Sequence, residues 1–141
     1  MAASDPYNLR RFVEAQASVF GRVLAELRVG HKESHWMWFV FPQIRGLGFS
    51  ATAQHYAISS LPEAAAYLEH PVLGPRLREC TQLVLEVQGR AAEEIFDSPD
   101  DMKFRSSMTL FAHATQENQL FLAALEKYYA GQFDPLTLQR L

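Results

Sequence analysis

The chain has 141 residues, about the size of one ordinary domain and long enough to bury a core without disulfide or metal staples. Nearly half of the residues are apolar and about a fifth are charged, which excludes a disordered or collagenous class. The formal charge of −3 comes from acids and bases interleaved along the chain. No basic run suits nucleic acid or an acidic membrane surface, and no stretch approaches the ~18 apolar residues of a membrane helix.

Met1 to Pro6 lacks the charged and apolar regions of an export signal, and residues 1–5 read as a flexible N-terminus before a single domain spanning 1–141. Asp5-Pro6 or Asn8 then opens a long helical pattern, with Leu9, Phe12, Val13, Phe20, Val23, Leu24 and Leu27 recurring at helical spacing until Gly30. Gln16 interrupts that face. It marks either a bend between two shorter helices or a polar group turned inward, and in the second case it must be hydrogen-bonded.

Ser34-His35-Trp36-Met37-Trp38-Phe39-Val40-Phe41-Pro42-Gln43 holds both tryptophans of the chain. Its apolar run has no alternation, and a short helix ended by Pro42 is the favoured reading. Gly46-Leu47-Gly48-Phe49 leads to Ser50, an N-cap for a short helix through Ala57.

Ser60-Leu-Pro-Glu63 is a capping box starting a helix that ends at His70-Pro71. Gly74-Pro75 opens a central helix to Gly89, with Leu77, Cys80, Val84 and Val87 on one side. After a short amphipathic turn over Ala91 to Phe96, Ser98-Pro99-Asp100-Asp101 caps a helix to about His113. Asn118 to Ala130 makes another, and Asp134-Pro135 starts a short C-terminal one. No strand pattern or internal repeat competes, so the expected fold is all-α, a compact bundle of about seven to eight short and medium helices.

Tryptophan faces stack on planar rings, and a neighbouring histidine and glutamine supply orienting hydrogen bonds, so Trp36, Trp38, His35 and Gln43 are site candidates. Burial as a core plug is the structural alternative. The Gly46 to Ser50 turn sets Gly48 and Ser50 before a helix N-terminus, where backbone N–H groups attract an anion, although no complete phosphate-binding motif is present. On the Pro99 helix, Lys103, Ser106 and Ser107 share a face and suit phosphate or a polarised carbonyl. Arg105 points away from Lys103 unless the helix is irregular.

His31 and His35 stand at the i,i+4 spacing of a metal pair with His55 as a candidate third ligand, but Gly30 ends a helix there and no obvious third ligand follows, so no metal is expected. No nucleophile elbow or activated cysteine suggests covalent catalysis, and Cys80 reads as a core residue. A lone cysteine fits a reducing cytoplasm.

SHWMWFVFPQ, GLGFS, Ala53-Gln54-His55-Tyr56-Ala57-Ile58, HPVLGPRLREC and DDMKFRSSMTLF together resemble a widespread bacterial family of unknown function, from Asp5 nearly to the C-terminus. That family sometimes carries the label calpastatin, which the capped helices and core of this chain contradict, since such inhibitors are disordered and repetitive. The resemblance implies a compact all-helical domain and no known activity. It favours His35, Gln43, Ser50, Lys103, Arg105, Ser106 and Ser107, embedded in the shared motifs, over His31.

These observations converge on a cytoplasmic domain with a groove between the aromatic segment and the Pro99 helix, binding a small phosphorylated or nucleotide-like anion without a cofactor. Any chemistry there is expected to be noncovalent hydrolysis or group transfer, with His35 as acid/base, Gln43 orienting, and the Gly48/Ser50 turn with Lys103 or Arg105 stabilising negative charge. The rival reading is a protein-interaction module in which Trp36 and Trp38 form an exposed patch.

Overall fold

The computed structural model describes residues 4–141, and in it the apolar stripes wind into ten helices. These are α1 (Arg10–Ala17), α2 (Phe20–Val29), α3 (Met37–Val40), α4 (Ala51–His55), α5 (Leu61–Glu69), α6 (Leu73–Glu86), α7 (Ala92–Phe96), α8 (Asp100–Ala114), α9 (Gln119–Tyr129) and α10 (Pro135–Leu138). The expected count of seven to eight is too low. The first long pattern is two helices, and the short segments at Met37, Ala51, Ala92 and Pro135 each close as separate turns. Among the described residues no strand forms; the nearest thing to one is an isolated parallel bridge between Ile44 and Ile58.

Both readings of Gln16 hold together. The chain bends after Ala17, and Gln16 is only 1 % exposed. Its amide nitrogen donates to the Phe39 carbonyl at 2.7 Å and to the Tyr67 hydroxyl at 3.3 Å, while Arg76 donates to its oxygen at 3.3 Å. One amide therefore joins α1 to α3, α5 and α6, and none of its polar atoms is left unpaired in the core.

Several helix ends follow the sequence signals and others do not. Gly30 takes a left-handed conformation, φ 84°, and closes α2 as its pattern required. Ser60 caps α5 through the Glu63 amide, but the Glu63 carboxylate turns aside instead of completing the box. It accepts from Ser59 and pairs with Arg11 at 2.8 Å in a nearly buried ion pair. Arg11 also donates to the carbonyls of Tyr7, Asn8, His55 and Ala57, so one guanidinium ties the start of the chain to the end of α4. Ser98 and Asn118 do not cap the helices that follow them; Asn118 instead donates back to the Ala112 carbonyl.

The core lies around α8, which packs against α5, α7, α9 and α10, while α6 packs against α2, α5 and α9. Phe41, Phe96 and Phe104 form a buried triad, Phe96 stacking on Phe104 and meeting Phe41 edge-on. Gly74 lets α6 approach α5 so closely that a side chain there would strike the Leu68 backbone. The expected flexible N-terminus falls largely on residues 1–3, outside the described residues. Asp5 is tied down, its carboxylate accepting from the Leu9 and Arg10 amides. No helix among the described residues is long and apolar enough to cross a membrane.

Replacing Gln16 by leucine leaves the Phe39 carbonyl only the longer bond from Tyr67 at 3.4 Å, takes an acceptor from Arg76, and should destabilise the fold by about 1–3 kcal/mol. Urea unfolding checks this, and an unchanged midpoint would show that the buried network contributes nothing net.

Candidate functional site

The aromatic segment is oriented by a carboxylate that the sequence did not single out. Glu26, on α2, accepts from the Glu33 amide at 2.8 Å, the Ser34 amide at 3.0 Å, the Ser34 hydroxyl at 2.6 Å and the Trp36 indole nitrogen at 2.9 Å. Burial works to raise its pKa, but these hydrogen bonds outweigh burial and bring it down to about 2. Trp36 is thereby drawn into the core, 1 % exposed, so it is not part of a ligand wall. Trp36 is the N-cap of α3 and Trp38 lies in its first turn, so the two side chains leave the chain on different sides. Burying Trp36 thus turns Trp38 outward, where it is half-buried.

The far end of the segment is fixed by backbone. Ile58 donates to the Gln43 carbonyl and Arg45 donates to the Ile58 carbonyl, both at 2.8 Å. This clip sets Gln43 beside the glycine turn. Gly46 has φ 99°, and the Arg140 guanidinium fills the space a side chain would need.

The result is a groove in two parts. One cavity, about 460 Å³, is lined by Trp38, Gln43, Gly48 and Ser50 on one side and by Lys103, Ser106 and Asp134 on the other. A second, about 380 Å³, adjoins it and shares Trp38, Gln43, Gly48 and Phe49, adding Arg45, Gln54 and Tyr56. Gln43 and the glycine turn are therefore brought to the same concave surface as Lys103 and Ser106. Ser50 caps α4, its hydroxyl accepting from the Ala53 amide at 3.1 Å.

Other candidates lie elsewhere. His35 is exposed and lines a shallow neighbouring depression with Trp38, Thr52 and His55. Arg105 donates to the carbonyls of Gln132 and Phe133, holding the approach to α10. Ser107 is fully buried, its hydroxyl without a hydrogen-bond partner among the described residues. The His31 to His35 stretch is not helical, so their spacing makes no pair, and among the described residues no group of three or more metal-ligating side chains is gathered.

Three charged groups, Asp100, Lys32 and Lys103, line up beside the two tryptophans. Asp100 holds Lys32 at 2.9 Å and Lys103 at 3.3 Å, and the two ammoniums stand over Trp36 and Trp38 at 5.3 and 5.0 Å from the ring centroids. Asp134 brings a second carboxylate to the same cavity, so the charge there is mixed, with Lys103 the less buried of the two ammoniums.

Asp134, which the sequence offered only as a helix start, reaches the floor of the larger cavity. Its Oδ2 accepts from Ser106 at 2.7 Å and Thr137 at 2.6 Å. No local spacing links residues 106 and 134, so only the packing of α10 on α8 could reveal it. Phe49, 84 % exposed at the lip, was likewise not expected.

Fold and groove together define a compact all-helical domain with an aromatic-walled, mixed-charge concavity. The family model described as "Protein of unknown function (DUF1810)" matches residues 6–141, and the chain belongs to that family. The chain is similar to the conserved hypothetical protein Rv1873 from Mycobacterium tuberculosis, whose crystal structure it matches with a TM-score of 0.96 at 62% sequence identity, over 97% of this chain and 98% of that one. No curated protein matches the sequence.

The Glu26 carboxylate contributes stability that is fully present above its ordinary pKa of 4.5 and is lost as pH falls through about 2. Glu26→Gln should lower stability near neutral pH, and the gap from wild type should shrink on acidification towards about pH 2. Urea midpoints measured across that range check it; a gap independent of pH would contradict it.

Proposed function

We propose that this chain binds a small phosphorylated molecule carrying a planar ring, in the groove between the aromatic segment and α8. The observation that carries this reading is the shared surface of Trp38, Gln43, the Gly48–Ser50 turn, Lys103 and Ser106. Trp38 and Tyr56 bring aromatic rings, Gln43 and Gln54 bring amides to orient a ligand ring, and Lys103 brings an ammonium beside them. The combined volume is that of a small-ligand site.

Beyond binding, the groove suits noncovalent hydrolysis or group transfer, with Lys103 stabilising negative charge and Gln43 orienting the ligand. His35 stands in the neighbouring depression, and we assign it no part in that chemistry. A reducing cytoplasmic setting fits Cys80, a free buried thiol whose pKa burial pushes up to about 12. Such a thiol is a packing group rather than a nucleophile.

An interaction surface is the second reading, favoured by Phe49, Leu136 and Met102 at 84 %, 59 % and 45 % exposure around the groove mouth. It makes Phe49 the anchor in place of the two tryptophans.

A melting-temperature screen with ribonucleotides and sugar phosphates separates the two. A ligand at about a hundred times its Kd adds about 2.7 kcal/mol to apparent stability, which is several degrees for a domain of this size. The expected result is a rise with a member of this panel that Trp38→Ala removes. No shift with any member would leave the interaction reading in its place.

A further inference from the structure

The acceptors at the cavity floor point to a more specific ligand. Asp134 is 6 % exposed, and its Oδ2 is occupied by the Ser106 and Thr137 hydroxyls. Its Oδ1 makes no hydrogen bond among the described residues, yet it is not sealed away, because the buried unpartnered side-chain atoms are those of Asp101 and Ser107. Ser106 has one proton. The shorter of its contacts is to Asp134 at 2.7 Å, against 3.1 Å to the Met102 carbonyl, so the proton belongs to the carboxylate bond and the Ser106 oxygen keeps a lone pair.

The floor therefore presents acceptors without a free donor, and a phosphate is the wrong group for it. A carboxylate oxygen beside a hydroxyl oxygen matches the paired O–H donors of a vicinal diol, the way acidic residues hold ribose hydroxyls in dinucleotide sites. Lys103 lines the same cavity and remains the partner for an anion. The adjoining cavity is lined by Trp38 and Tyr56 together with Gln43 and Gln54, an environment for a planar heterocycle. Heterocycle, diol and anion are the parts of a ribonucleotide.

We infer that the groove takes a ribonucleoside monophosphate, with its ring in the smaller cavity, its sugar hydroxyls on Asp134 and Ser106, and its phosphate at Lys103. This rests on the ligand-binding reading above and adds sugar selectivity to it.

The test is calorimetric titration of the full chain with the four common ribonucleoside 5′-monophosphates, each beside its 2′-deoxy counterpart. At least one ribonucleotide should bind, and its deoxy form should bind about tenfold more weakly, the scale of one hydrogen bond to a charged group. Asp134→Asn keeps an oxygen for Ser106 and Thr137 but turns an amide donor towards the sugar, and should shrink the discrimination to about twofold. Lys103→Met should leave the ribose preference intact while removing the preference for nucleotide over nucleoside. Equal binding of ribo and deoxy forms by wild type would overturn the sugar assignment while leaving a nucleotide site standing. No binding by any of the eight would overturn both. Should Asp134→Asn fail to fold, the wild-type ratio still decides.

Discussion

The Glu26 carboxylate accepts from two amides, a hydroxyl and an indole nitrogen, and the shape of the groove follows from that cluster. A charged acceptor surrounded by neutral donors is a stronger restraint than a set of neutral bonds, because each bond is charge-assisted. It pins the chain where it leaves α2 and commits Trp36 to the core. Helical geometry then leaves Trp38 facing outward. With Glu26 removed, the indole nitrogen of a buried tryptophan would lose its partner, and the segment would lose its anchor at the end nearer α2.

The same economy is seen at the other end of the segment, where backbone does the work that a carboxylate does at the first. The Phe39 carbonyl is held by Gln16 and Tyr67, and Gln43 is clipped to Ile58. Between these anchors a helix of four residues stays in place although it is too short to be stable alone. Rigid supports on both sides give a half-buried tryptophan a defined neighbour in Lys103. A groove held this way is largely pre-formed, so little of the binding free energy is spent on ordering it.

Much of the fold was legible because helix signals are local. The stop at Gly30, the Ser50 and Ser60 caps and the stripe of α6 all follow from residues within a few positions of one another. Gln16 was legible as a polar break in an apolar face. The aromatic segment marked the groove, but its two tryptophans could not be told apart without knowing that Glu26 claims one of them. Asp134 was hidden for the same reason. Its role depends on a long-range meeting of α10 with α8, and its neighbour Pro135 explained it well enough as a helix start. Arg105 and Ser107 shared a motif with Lys103, yet the winding of α8 sends them to a helix approach and into the core.

On the proposed reading Trp38 forms the wall of a ligand groove while Trp36 is a core residue. A Trp36→Phe variant that retains the fold makes Trp38 the single tryptophan, and acrylamide quenching of its emission, excited at the red edge where tyrosine does not absorb, with and without ribonucleotides, measures its accessibility directly. Ready quenching in the free protein and clear protection on saturation with a ribonucleotide are expected. Emission equally quenched at every ribonucleotide concentration would contradict that reading.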